Sequence, residues 1–406
     1  MRLGAYLVDR RPLHIPAFRR LWTATVVTAV GGSFSVIAVP TQLFAMTGSS
    51  ATVGLAAAVS LVALIGSALW SGALADTMDR RHLLLAAHTL LGLTYLGLWL
   101  QALLRLESVI VVLVLASAQG VGIGAALTTM GAAVPRVVPT TLLVAANGLS
   151  SLSRNLGAII GPLVAGALIP VTGIESLYLL DALALPVVLR AVATLPAMPP
   201  ATHPERRGVA RDVIDGVRYL VGRRVLLGIL AVDLAAMVFA LPIALFPELA
   251  ATMYGPATLG LLFAAYPAGV LLAGLASGGF SRADRHGAMM AGAAIAWGLC
   301  VITFAATSRL WLALAALVLG GAVNFVLSTF RNAISQAHTD DALRGRIQGI
   351  LTVVLFGGPQ LANVAHGIGG ALVGPRWAIG LGGALTVAAV GLILRAVPQL
   401  WRYRST

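Results

Sequence analysis

Lysine is missing from this 406-residue chain, so all 27 basic residues are arginine. A Gly-rich phosphate loop closed by lysine is therefore excluded, and with it ATP-driven chemistry of that type. Cysteine occurs once, at Cys300, which rules out an intramolecular disulfide; no Cys/His cluster has metal-ligand spacing. Neither a metal nor any other cofactor is called for. Charge is scarce as well: charged side chains make up 10% of the chain, where a soluble globular protein carries about 25%. What is present is apolar, at 59% of residues with a mean hydropathy of +0.93. So little polar surface cannot wet one or two soluble domains, and lipid must cover much of the outside. The net charge of +13 would suggest nucleic acid in a soluble protein. Here the arginines fall between apolar runs, where they set topology, and no nucleic-acid partner is implied.

A membrane-spanning helix needs roughly 20 apolar residues, and twelve such runs can be marked. The first, from Leu21 to about Met46, follows Arg2, Arg10, Arg11, Arg19 and Arg20. It is too long for the core of a cleaved signal peptide and reads as a retained span. Spans 2 to 6 are expected near 51–75, 82–104, 109–133, 145–169 and 176–195, and spans 7 to 12 near 225–249, 257–280, 286–307, 310–334, 345–372 and 376–396. The domains expected are a six-helix half over 1–195, a linker over 196–224 that is the one long polar connection, and a second half over 225–406. With the N-terminus in the cytoplasm, 21 arginines fall on that side and only Arg105, Arg309 and Arg376 on the other. That asymmetry puts both termini in the cytoplasm of a multi-pass cell-membrane protein.

The chain also echoes itself. Val53-Gly54-Leu55 through Ser71-Gly72 aligns with Leu259-Gly260-Leu261 through Ser277-Gly278 at an offset of 206, and Asp79-Arg80 matches Asp284-Arg285. Gly166-Ala167-Leu168 recurs as Gly370-Ala371-Leu372. Parallel six-helix repeats are the arrangement of a carrier that rocks around a midplane site. The expected fold class is thus all-α, twelve transmembrane helices in two parallel repeats.

Two motifs carry a family resemblance. Between spans 2 and 3 the chain reads Gly72-Ala73-Leu74-Ala75-Asp76-Thr77-Met78-Asp79-Arg80-Arg81, which resembles the G-x-x-x-D-R/K-x-G-R/K-R/K loop of the major facilitator superfamily. Gly72, Asp76, Arg80 and Arg81 match, while Thr77 and Asp79 depart from the pattern. With Phe18-Arg19-Arg20-Leu21-Trp22 ahead of span 1, the loop is similar to the exporter branch that includes the enterobactin exporter and macrolide and tetracycline efflux proteins. In span 5, Gly157 to Gly166 resembles the antiporter motif G-x-x-x-G-P-x-x-G-G through Gly157, Gly161, Pro162 and Gly166, with Ala165 replacing one glycine. The resemblance implies a secondary transporter, not an enzyme, that exchanges a small-molecule substrate for protons as a functional monomer in the bilayer. It also implies a cytoplasmic latch at Asp76, Arg80 and Arg81. Taken alone, the first motif is also compatible with a positive-inside turn, and the second with a small-residue packing face.

Charges within spans are expensive and default to function. Asp233 lies about nine residues into span 7, where its carboxyl either carries a proton or is held as an anion by an arginine. Arg154 in span 5 shares a stripe with Asn147, Ser150 and Ser151, and must face protein or water. Asp181 is expected at the outer interface of span 6, and Arg331 is expected to snorkel from span 10. His366, beside Asn363 and Gln360 in span 11, reads as a packing residue or a member of a proton path.

By the resemblance, spans 1, 4, 7 and 10 line the cavity. Their polar residues are few: Thr28, Ser35 and Gln42 on span 1, Gln119 on span 4, Asn324, Ser328 and Arg331 on span 10. A sugar carrier would need many more hydrogen-bonding groups, so the expected cargo is lipophilic or amphipathic, a drug or secreted metabolite. Each lone polar group has an alternative as an interhelical hydrogen bond. An importer of the same fold and a non-transporting membrane sensor are the alternative functions.

Overall fold

In hydrocarbon every backbone N–H and C=O must be satisfied within the protein, so apolar runs of this length fold as helices. The computed structural model describes residues 10–75, 77–199, 222–277, 283–337 and 344–404. In chain order the main helices are α1 (Pro16–Gly31), α2 (Ser35–Thr47), α3 (Ser50–Ala75), α4 (Arg80–Leu103), α5 (Val109–Val137), α6 (Leu143–Ala193), α7 (Arg224–Ala240), α8 (Leu259–Leu275), α9 (His286–Ala306), α10 (Leu310–Ala337), α11 (Arg344–Val373) and α12 (Pro375–Ala396). Among the described residues, ten stretches are long and apolar enough to cross a bilayer. The architecture is the all-α, twelve-span one. Most of the expected linker, 200–221, lies outside the described residues.

Helices and spans do not correspond one to one. Expected span 1 is two helices, α1 and α2, parted at Gly32–Phe34. Expected spans 5 and 6 run together as α6, with one reversal at Gly173, whose φ of 79° only glycine adopts without strain. Span 7 stops at Ala240; after Leu241 and Pro242 it resumes as short turns, Ile243–Leu245, Phe246–Leu249 and the wider π-turn Ala250–Tyr254. Proline lacks the N–H that would continue the α7 ladder.

Two compact units result. One comprises Met1–Gln42 with Val59–Arg206, the other Leu43–Ala58 with Arg207–Thr406. In the first, α1 lies along α6, and α4 packs against both α5 and α6. Gly120 and Gly124 of α5 lie on the α3 backbone at Ser60 and Leu64. In the second, α9 packs on α10 and α12, α8 on α10, and α7 on α11 and α12. Gly269 of α8 and Gly321 of α10 bring those two backbones together at Val318 and Tyr266. Ser60 and Tyr266 are 206 residues apart, so the repeat seen in sequence reappears as the same glycine-mediated crossing. Residues 43–58 join the second unit because the Ser50 hydroxyl donates to the Glu248 carboxylate and Gly54 lies against α11 at Asn363 and Gly367.

Candidate functional site

In the first unit the polar groups gather where span 1 breaks. Gly32 N–H closes α1 onto the Thr28 carbonyl at 2.7 Å, and α2 starts afresh at Ser35. A fresh start leaves backbone N–H groups without partners in their own helix. Asp181, on the second arm of α6, supplies the acceptor: its Oδ2 takes the Ser35 N–H at 2.8 Å and also the Ser35 hydroxyl. The carboxyl is thus placed at the positive end of the α2 dipole. Asp181 is 1% exposed, which corrects the expectation that it lies at the membrane interface. The break in span 1 draws it inward.

Around this cap Tyr178, Gln42 and Gln101 pair with one another. Tyr178, one turn before Asp181, donates to Gln42 Oε1 at 2.8 Å. Gln42 and Gln101 exchange amide hydrogen bonds at 3.1 and 3.0 Å. Tyr95 of α4 is buried, with its hydroxyl beside Gly32. Gln119 is buried and Thr28 half-buried. Of the polar residues expected on the wall of span 1, Ser35 and Gln42 are therefore engaged between helices. Two oxygens here are buried without a partner, Thr28 Oγ1 and Asp181 Oδ1.

The span 5 motif faces the same break. Gly157 lies against the α1 backbone at Ala29, and Gly161 against the side chain of Ser33. Pro162 is buried and Gly166 half-buried. Arg154 belongs to this arm of α6, but its side chain lies outside the described residues.

The loop between spans 2 and 3 is built around Asp79 and Arg80. Asp79 caps α4, its Oδ1 accepting the N–H of Arg81 at 2.9 Å and of Met198 at 3.1 Å. Arg80, 6% exposed, donates from Nη1 to the carbonyls of Met198 and Pro199 at 3.3 and 2.9 Å. The chain leaving span 6 is thus held by the motif's own residues. Gly72 has room for a methyl, which would meet Thr128 at 3.6 Å. The Nε atoms of Arg80 and Arg81 are buried without partners. Asp76 lies outside the described residues.

In the second unit Asp233 is 2% exposed, and its Oδ2 pairs with Arg331 Nη1 at 2.6 Å. Arg331 also donates from Nε and Nη2 to Asn332 Oδ1 at 3.3 and 3.2 Å. The expectation that Arg331 snorkels is corrected: it is buried because a carboxylate waits within the unit. Tyr266 lies in the field of both charges and packs on Trp297 with ring centroids 5.4 Å apart. Trp297 Nε1 donates to the Ala236 carbonyl, one turn beyond Asp233, at 3.2 Å. Asn324 and Ser328 are half-buried on α10, and Ser328 is turned back onto the Phe325 carbonyl at 2.9 Å. His366, 4% exposed, sets Nε2 at 3.1 Å from the Phe239 carbonyl. That carbonyl is left over by the stop of α7, so His366, in the tautomer with Nε2 protonated, closes the break in span 7.

The breaks in spans 1 and 7 stand at corresponding places, Ser35 and Leu241 being 206 residues apart. Paired interruptions in the two halves of a carrier mark the neighbourhood of its binding site. Comparisons with known proteins give the family. Residues 9–402 match the family model described as a transmembrane secretion effector. The chain belongs to this family of the major facilitator superfamily. It is 30% identical over 394 residues to the enterobactin exporter EntS of Shigella boydii serotype 18, covering 96% of this chain and 94% of that one, and 29% identical to EntS of Escherichia coli O1:K1 / APEC over the same shares. In fold it is similar to a POT family transporter solved with 5-aminolevulinic acid (TM-score 0.75, 13% identity, 94% and 96% of the chains) and to a bacterial homologue of the iron transporter ferroportin in an inward-facing state (TM-score 0.69, 17% identity, 96% and 98%).

As a member of the superfamily, the protein is a multi-pass membrane transporter, not an enzyme. The sequence reading missed three roles within this transporter: the cap at Asp181, the pairing of Arg331, and the closure of span 7 by His366. One signal was available for the first and the third. Gly31-Gly32-Ser33 and Leu241-Pro242 interrupt two otherwise apolar spans at the repeat offset, and a broken helix needs polar groups from its neighbours.

Proposed function

We propose that the protein exports a lipophilic or amphipathic small molecule, a drug or secreted metabolite, from the cytoplasm across the bacterial inner membrane in exchange for protons, working as a monomer with both termini in the cytoplasm. The similarity to enterobactin exporters over nearly the full chain supports the direction, and the arginine asymmetry supports the orientation. The span 5 motif and its tight seat on α1 support exchange. The Asp233–Arg331 pair carries the coupling role: a buried ion pair on facing helices can part when the carboxylate takes a proton. Arg154 is a second candidate for contact with protons or cargo. Thr28, Ser35, Gln42, Gln119, Asn324 and Ser328 are the polar groups proposed nearest the cargo path. Gly72, Asp76, Arg80 and Arg81 are proposed to latch one conformation.

Inverted membrane vesicles test this directly. With an imposed proton gradient and enterobactin or a lipophilic fluorescent dye as probe, the wild type should accumulate probe. Asp233→Asn should abolish gradient-driven accumulation while downhill exchange persists. Accumulation at the wild-type level in Asp233→Asn would remove the coupling assignment, and probe uptake into intact cells without a gradient would make the protein a facilitator.

A further inference from the structure

We propose that Asp181 is a second proton-binding site, in the N-terminal unit, whose charge sets the strength of the cap on α2. The inference rests on the proton-coupled reading above but is tested apart from it. Four observations converge on one point: span 1 is broken at Gly32–Phe34, the renewed helix is capped by a carboxyl that is 1% exposed, the other oxygen of that carboxyl has no partner, and the span 5 glycines hold α6 against α1 at the break.

Neither state of the carboxyl is fully satisfied in this arrangement. As an anion, Asp181 receives the Ser35 N–H and O–H and lies at a helix N-terminus, but among the described residues no cation is paired with it. The titratable groups facing it are both phenols, Tyr95 from α4 and Tyr178 from its own helix. The described cations of the helices packed there lie toward their ends: Arg19 and Arg20 on α1, Arg80 and Arg81 on α4, Arg136 on α5 and Arg190 on α6. Among the described side chains the remaining titratable groups of these elements are His82 and His88 on α4 and Glu175 on α6, and Arg154 of α6 lies outside them. As an acid, the carboxyl keeps a hydrogen bond to Ser35 but leaves an O–H at Oδ1 with no acceptor. A buried group poised between two imperfect states is suited to change state when solvent access changes. Binding the proton removes the charge from the α2 N-terminus, and a neutral cap holds the helix start less firmly than a charged one.

The test is infrared titration of the full-length protein in lipid nanodiscs, with no cargo added. A carbonyl-stretch band of a protonated carboxyl should appear on acidification and be absent from Asp181→Asn, while Asp233→Asn retains it. Ser35→Ala keeps the carboxyl but removes one donor, so it should move that band to higher wavenumber; this variant decides the matter if Asp181→Asn does not fold. In hydrogen exchange at one fixed alkaline pH, Asp181→Asn should speed the amide of Ser35 by about tenfold, the cost of turning a charged bond into a neutral one. A titrating band that persists unchanged in Asp181→Asn and does not move in Ser35→Ala overturns the proposal, as does the lack of any titrating band in the wild type. If the band behaves as expected in a protein that moves no probe under a proton gradient, the proton site stands and the exporter reading falls.

Discussion

Asp233 and Arg331 show why a buried ion pair is evidence about mechanism before it is evidence about stability. Removing two charges from water costs several kcal/mol each, and attraction repays that only while both partners remain. Losing one partner strands the other, so Arg331→Gln should destabilise the protein by about 3–5 kcal/mol. Asp233→Asn should cost less, because the remaining guanidinium keeps its bonds to Asn332 Oδ1. The double variant should recover most of the Arg331→Gln loss in a detergent melting curve, since no unpaired charge remains. A double variant as unstable as Arg331→Gln alone would mean that the two charges do not depend on each other. The sequence showed that Asp233 needed a partner or a proton, but it could not select Arg331 over Arg154, because pairing across helices depends on rotation about each axis and hydropathy does not encode rotation.

Arg376 is another residue that composition alone misplaces. As one of three arginines on the expected outer side it looks like an exception to the topology rule, yet it has a local task. Its Nε and Nη2 donate to the carbonyls of Ala305 and Ala306 at 2.9 and 2.7 Å, and its Nη1 donates to Ser308 Oγ at 3.3 Å. Those carbonyls end α9, where a cation also favours the helix dipole. Arg376→Ala should lower thermal stability by about 1 kcal/mol, with insertion and topology unchanged. A melting temperature equal to that of the wild type would show that water caps α9 equally well.

Among the elements, the glycines of α6 decide how close α1 can come. At Gly161 a side chain would enter the space held by Ser33, and at Gly157 it would strike the Ala29 backbone. A backbone cannot rotate aside as a side chain can, so the two positions should differ in tolerance. Gly161→Ala should cost about 1–3 kcal/mol and slow exchange, Gly157→Ala should cost more, and Gly161→Leu should abolish exchange. Equal transport in Gly161→Leu and the wild type, measured as probe exchange in vesicles, would show that α1 and α6 need not touch there. The glycine spacing made this contact readable in the sequence. The break in span 1 beside it was not, since hydropathy is continuous through Ser33-Phe34-Ser35 and only the Gly-Gly-Ser run hints that the helix stops.

At the scale of the whole molecule, the repeat is where sequence and structure agree most closely. The left-handed glycines Gly48 and Gly255 end corresponding spans 207 residues apart, and Gly173 and Gly374 do so 201 apart. Hydropathy marked the twelve spans in the sequence and the internal echo grouped them into two repeats, because lipid imposes length and backbone satisfaction on every span. The broken spans were the part that hydropathy could not reach.

What joins the repeats is the chain after span 6, and its first residues are held in the N-terminal unit. Arg80 grips the carbonyls of Met198 and Pro199, while Asp79 takes the Met198 N–H. The loop motif thus fixes where the linker departs, a role additional to the latch proposed for Asp76 and Arg81. If that anchor transmits motion along the chain, Arg80→Ala should reduce probe exchange several-fold while the protein still inserts and still binds probe, because no proposed cargo group is touched. Arg80→Lys keeps the charge for topology, but its ammonium ends one bond short of the Nη1 that serves both carbonyls, so it should behave more like alanine than like the wild type. Full exchange in Arg80→Lys would show that position 80 needs only positive charge, and the departure of the linker would then be set by Asp79 alone.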